Sequence, residues 1–228
     1  MKKTFLLSCL MLAAMPVMAA YTGRVYVDKN KNGVFDPGEK TWAGIKVSDG
    51  LNVVETAADG SFTLPGHERE RFIFITTPSG YKTFNRHYHK IEEKQSGYDF
   101  GLMPYSGRIR KDGSHKYIHI ADTEIFNTEN HEDWVNNVRD YARNEQAAFI
   151  IHTGDICYEK GLKAHIKLMN TENMDCPVFY CIGNHDLVKG KYGEELFESI
   201  YGPVYYSFDA GNVHYIVCLL YTSPSPRD

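Results

Sequence analysis

At 228 residues the chain has room for one large domain or two small ones. It is 43% hydrophobic, 13% aromatic and 24% charged, with a formal net charge of −4. That suits a globular fold, and Lys and Arg residues scattered along the chain exclude the clustered basic surface a nucleic-acid binder needs.

Residues 1–20, MKKTFLLSCLMLAAMPVMAA, have a Lys2-Lys3 head, an apolar stretch from Phe5 to Met18 and small residues at Ala19 and Ala20. This is the layout of a secretory signal peptide, and the apolar run is short of the roughly 20 residues a membrane span needs. The mature protein is expected to be exported, to the periplasm or beyond, with no transmembrane segment after the leader is removed. Cys157, Cys176 and Cys181 read as buried small hydrophobes, the last two on one strand; an oxidising compartment also permits a Cys157–Cys181 bridge.

From residue 21 to 104 the chain reads as short strands closed by Gly, Pro, Asp or Asn: GRVYVD, AGIKVSDG, NVVETAADGSFTLPG, RFIFITTPSGY, and a last strand near Tyr98 to Leu102. A small all-β sandwich is expected. Inside it, DKNKNGVFDPGE places Asp28, Asn30, Asn32, Asp36 and Glu39 at the spacing of a twelve-residue calcium loop, with Gly33 at its bend. An entering strand and the Pro37-Gly38 exit depart from an EF-hand. The loop reads either as a structural calcium clip between strands or as an ion-free polar turn.

YSGRIRKDGSHK reads as a linker, and after it the pattern changes. KYIHIAD, AAFIIHTGD and CPVFYCIGNHD are apolar strands. They alternate with helices over HEDWVNNVRDYARNEQ, with Trp134, Val138, Tyr141 and Ala142 on one face, and over LKAHIKLMN and YGEELFESIYG. VYYSFDAGNVHYIV reads as a hairpin turning at 210–212. Strand–helix alternation predicts a second, α/β domain over 105–217 with a largely parallel sheet and its ligand site at the strands' carboxyl ends. Three polar clusters fall there: Asp122 and Glu124, Gly154-Asp155, and Gly183-Asn184-His185-Asp186. One such cluster is ordinarily a turn; three, each capping a strand, make a site. His119 is expected to pack in the core, His131 and His165 to lie at surface or boundary positions on helices, and His152 either to support Asp155 or merely to pack. His214 sits in the hairpin.

The clusters GD (154–155) and GNHD (183–186) resemble the motifs of the calcineurin-like metallophosphoesterases, and the strand-rich half resembles the N-terminal module of an exported, Bacteroidetes-type branch of that family. DTE departs from the family pattern, placing Glu124 where a His is usual; its added charge favours manganese, magnesium or calcium over softer ions. The resemblance implies a metal-dependent hydrolase of phosphate mono- or diesters with two divalent ions, drawn from Mn, Fe, Zn or Mg, and a small phosphorylated substrate. In that pattern Asp155 bridges the ions, Asp122 and Glu124 complete the first ion's ligands, and Asn184 binds the second. His185 contacts the phosphoryl group as general acid, and Asp186 orients it. The family's later His and G-H-x-H motif are not found. Residues 218–228, CLLYTSPSPRD, resemble the translation of a transposon-end adapter used in sequencing libraries, so the natural frame is expected to continue and this chain to be an inactive fragment. The competing reading is an exported, calcium-stabilised binding or adhesion module whose phosphoesterase domain is degenerate.

Overall fold

The computed structural model describes residues 20–67, 70–84, 86–95, 97–105, 108–156, 158–187 and 193–219. The leader up to residue 19, Cys157 and the tail from residue 220 lie outside the described residues. Of the segment expected to be foreign, Cys218 is exposed and Leu219 packs against a buried cluster.

The first half is built of β1 (Ala20–Val27), β2 (Lys46–Ser48), β3 (Val53–Glu55), β4 (Ser61–Pro65), β5 (Phe72–Ile75), β6 (Tyr81–Thr83), β7 (Tyr88–Lys90) and β8 (Phe100–Pro104). They form two four-stranded sheets, β4-β1-β8-β6 and β3-β2-β5-β7. Period-two alternation selects the inner face: in β4, Phe62 and Leu64 point inward and their neighbours outward. They meet Val25, Val47, Ile73, Ile75, Phe100 and Leu102 in one core between the sheets, the expected sandwich. All pairs are antiparallel except β1 with β8, which is parallel with Val25 opposite Phe100. β6 and β7 were not anticipated as strands; each has three residues and lies at a sheet edge.

The second half runs β9 (Ile118–Ile120), α1 (His131–Asn144), β10 (Ile150–His152), α2 (Glu159–Leu168), β11 (Val178–Tyr180), a 3-10 turn (Asn184–Asp186), α3 (Glu195–Tyr201), β12 (Tyr206–Ala210) and β13 (Val213–Val217). β11, β10 and β9 form a parallel sheet in that order, with Ile150 opposite both Val178 and Ile118. One face packs on Val135 and Ala142 of α1, Leu162 of α2 and Phe197 of α3. The other carries Phe149 and Phe179 into a third cluster with Phe208 and Tyr206 of the β12–β13 hairpin. The fold is thus mixed α/β, preceded by a β-rich part. Among the described residues no helix is long and apolar enough to cross a membrane.

The third cluster also contains Phe72, Phe74 and Tyr88, so the halves share a core. β5 reads FIFI with all four residues buried. Ile73 and Ile75 face the sandwich, while Phe72 and Phe74 face the α/β part. Polar links follow the same seam: Thr76 and Ser207 hydroxyls meet at 2.9 Å, the Asp209 N–H donates to the Thr77 carbonyl at 2.9 Å, and Arg71 Nη2 donates to Glu198 Oε1 at 2.6 Å.

Several sequence expectations are corrected. Tyr141 is 59% exposed, and Val135 takes the buried place on α1. His131 and His165 are buried rather than at the surface, because α1 and α2 turn those rings toward each other, 5.7 Å apart. His119 is exposed, its Nε2 2.7 Å from the Thr153 hydroxyl. Cys176 and Cys181 flank β11 instead of lying on it; both are free thiols, and only Cys176 is fully buried. In the segment expected as a linker, Arg108 is anchored on the α/β part, donating to the Ala147 carbonyl at 3.0 Å and to Asp175 at 3.1 Å.

Candidate active site

β9, β10 and β11 end at Ile120, His152 and Tyr180, so the three polar clusters leave the same edge of one parallel sheet. The first two loops run side by side. The N–H groups of Asp122, Glu124 and Ile125 donate to the carbonyls of Gly154, Asp155 and Ile156 at 3.1, 2.9 and 2.7 Å. The third is tied in by the His185 N–H, which donates to Asp155 Oδ1 at 3.0 Å. Asp155 is therefore the hub of the three loops. The His185 ring approaches the first loop as well, Nδ1 lying 4.0 Å from Glu124 Oε1.

Asp122, Glu124 and Asp155 have φ of 53°, 40° and 52°. This left-handed region is costly for residues with a Cβ and is held only where surroundings over-determine it, commonly at functional sites. The glycines of the two later motifs have a steric reason. A Cβ on Gly154 would stand 2.4 Å from the Gly183 nitrogen, and one on Gly183 would stand 2.2 Å from Asp155 Oδ1. Only backbone without side chains lets the second and third loops approach so closely.

Asp122, Glu124, Asn184 and His185 are exposed, Asp155 is half-buried and Asp186 is fully buried. The Asp186 carboxylate accepts the Gly183 N–H at 2.9 Å, which clamps the turn presenting Asn184 and His185. A cavity of about 570 Å³ opens beside the first loop, lined by Asp122, Thr123 and Glu124 and by Asn130, His131 and Trp134 at the start of α1.

Behind the loops lies a support that sequence reading resolved only in part. His152 is completely buried. Its Nδ1 lies 3.3 Å from the Gly154 nitrogen, whose N–H it accepts, and its Nε2 lies 3.1 Å from the Thr123 hydroxyl. It therefore joins the first loop to the second. Burial, helped by the nearby His119, lowers its pKa to about 4, so the ring is neutral and able to accept. His165 packs edge-on to it at 5.1 Å and is likewise held well below the usual range by burial. Thr123, between the two acidic residues of the first motif, was not singled out; its small side chain carries no motif, and its partner lies 29 positions away.

The donor types suit divalent cations, although among the described residues no three of the carboxylates and the imidazole of these loops bring ligand atoms within 4.8 Å of one another. Three carboxylates and a carboxamide, all hard oxygen donors, emerge along one sheet edge on loops fixed by mutual hydrogen bonds. Two family models match the chain: the N terminal of calcineurin-like phosphoesterase over residues 29–105, and calcineurin-like phosphoesterase over residues 115–221. No curated protein matches it. Fold, strand-end motifs and both matches define a calcineurin-like phosphoesterase architecture. The chain belongs to the calcineurin-like metallophosphoesterase family, whose chemistry is metal-dependent hydrolysis of phosphoester bonds.

Proposed function

We propose that the strand-end loops form a dinuclear phosphoesterase centre that takes small phosphate mono- or diesters. The observation carrying this reading is the lacing of all three loops through Asp155. Its carboxylate fixes the third loop while its backbone fixes the first, so it stands between the donors of both. Asp122 and Glu124 would serve one ion and Asn184 the other, with Asp155 shared. Bound divalent ions supply an acidified water and a clamp on phosphoryl oxygens. The chain's own contribution is position. His185 stands exposed at the rim, where its ring can contact a phosphoryl oxygen and deliver a proton to the departing oxygen. Asp186 keeps it there by fixing the Gly183 turn. The test is calorimetric titration of Mn²⁺ into the whole chain and into its Asp155→Asn variant. A fall in the heat and in the number of Mn²⁺ ions bound is expected with the substitution; equal binding by both chains overturns the assignment.

The Asp28–Glu39 loop is proposed as a structural calcium site. Asp36 Oδ2 accepts both the Asn30 and Asn32 amides, at 2.7 and 2.8 Å. Asp28 is buried, with its carboxylate receiving the Asn32 and Gly33 N–H groups. Glu39 closes the loop on the N–H groups of Lys29 and Asp36. These hydrogen bonds link all five residues within one loop, which supports the reading. Calcium is expected to raise the melting temperature of the chain and not that of Asp36→Ala. An unchanged melting temperature in the parent rejects the site. Export, proposed from the Lys2-Lys3 leader pattern, is tested by fractionating cells that express the chain from residue 1.

A further inference from the structure

Away from the strand-end loops, Asp49, His67 and Glu70 each place one ligand atom within 4.8 Å of the other two. We propose that this trio binds a divalent first-row transition ion, such as zinc, at the seam between the β-sandwich and the α/β part. The three residues come from the turn after β2 and from the connection between β4 and β5.

The spacing supports an ion. His67 Nε2 lies 3.5 Å from the Asp49 carboxylate, at Oδ1; two ligands of a tetrahedral zinc, each about 2.1 Å from the metal, lie about 3.4 Å from one another. The set is also directed. Asp49 Oδ1 accepts the Leu51 and Asn52 N–H groups at 2.9 and 2.7 Å, and Oδ2 accepts the Asn52 amide at 3.0 Å. Glu70 accepts the Tyr21 hydroxyl and the His67 N–H. Such outer hydrogen bonds fix the direction of ligating groups; Asp49 Oδ1 already accepts two N–H groups, so the Asp49 lone pair left for a metal is on Oδ2, beside the Asn52 amide. The trio is sheltered: the Asp49 side chain has no exposed surface and that of His67 is 15% exposed. It is also reachable, because Asp49 and His67 line a cavity of about 490 Å³ whose far wall is Glu198, Pro203, Val204 and Tyr205. An imidazole with two carboxylates suits zinc or its neighbours rather than calcium.

Position gives the ion a task. Arg71, next to Glu70, crosses the seam to Glu198 of α3. An ion holding Glu70 to Asp49 and His67 therefore stiffens the strand entry from which the two parts are joined.

The test uses the full chain carrying Asp155→Asn, so that the strand-end site is disabled. Co²⁺ is titrated while its visible spectrum is read, and Zn²⁺ is followed by calorimetry and melting temperature. One Zn²⁺ per chain, a melting temperature that rises with Zn²⁺ and a nitrogen-ligated Co²⁺ spectrum are expected. Adding His67→Gln should abolish all three. Glu70→Gln, which keeps an acceptor for Tyr21, should weaken Zn²⁺ at least tenfold and decides the matter if His67→Gln does not fold. Binding indifferent to both substitutions, or no binding at all, overturns the proposal and leaves His67–Asp49 a plain polar contact.

Discussion

His152 shows how one buried ring ties loop geometry to acid sensitivity. Its folded pKa, about 4, lies below the ordinary value of 6.5, and that of His165 is lowered too. The unfolded chain therefore binds more protons between those values, so stability rises with pH there. The contribution is fully present above about pH 6.5 and is lost as pH falls toward 4; for His152 alone it is on the order of 3 kcal/mol. The melting temperature is expected to fall steadily over that window, and His152→Gln should flatten the fall; an unchanged slope assigns the acid sensitivity elsewhere. Gly183 gives a second test. Gly183→Ala forces a Cβ to 2.2 Å from Asp155 Oδ1, and should cost about 1–3 kcal/mol by overpacking. It should also weaken divalent-ion binding, which calorimetry reads directly. Of these residues, Asp155 and Gly183 were visible beforehand because GD and GNHD are motifs. Thr123 was not, since its role arises from a contact between loops.

At the level of elements, legibility followed the contrast between buried and exposed positions. The parallel strands are short and apolar, bounded by polar clusters, so β9, β10 and β11 were placed from sequence alone. β6 and β7 escaped, because three-residue edge strands in a polar stretch carry too few periods of alternation to register. On α1 Trp134, Val138 and Ala142, three of the four residues expected on the inward face, do pack against the core, and Tyr141 does not. Tyr141, expected on that face from the helical spacing, sits at its edge and is exposed, whereas Val135 fills the core. Val135→Ala should cost about 2 kcal/mol from lost burial and cavity. Tyr141→Ser should change stability by under about 0.5 kcal/mol, as an exposed site does. Denaturant midpoints measured on both variants check the pair, and the reverse ranking would put Tyr141 rather than Val135 in the core.

For the molecule as a whole, the β-module is no detached appendage. FIFI in β5 was legible as a strand, but a run of four apolar residues does not say what each face will meet. Here one face meets the sandwich and the other the phosphoesterase part. Phe208, stacked 3.6 Å from Phe179, lies at the centre of that shared cluster. Phe208→Ala should cost about 3–5 kcal/mol. In the parent chain the sandwich and the α/β part should melt in one transition, since neither can expose its half of the cluster without loss. Two separate calorimetric peaks in the parent chain contradict the shared core.

The hydroxyl contact between Thr76 and Ser207 joins residues 131 positions apart. The Asp209 N–H extends that join by bonding to Thr77. A β-module folded ahead of the hairpin would hold β5 with Phe72 and Phe74 uncovered until Tyr206 and Phe208 pack on them. The hairpin would then close against it last, after the long loop-closure entropy has been met. Until that moment such a chain carries an apolar sheet face open to wrong partners. The step that unites the two parts is thus also the interval in which the chain most needs a chaperone's cover.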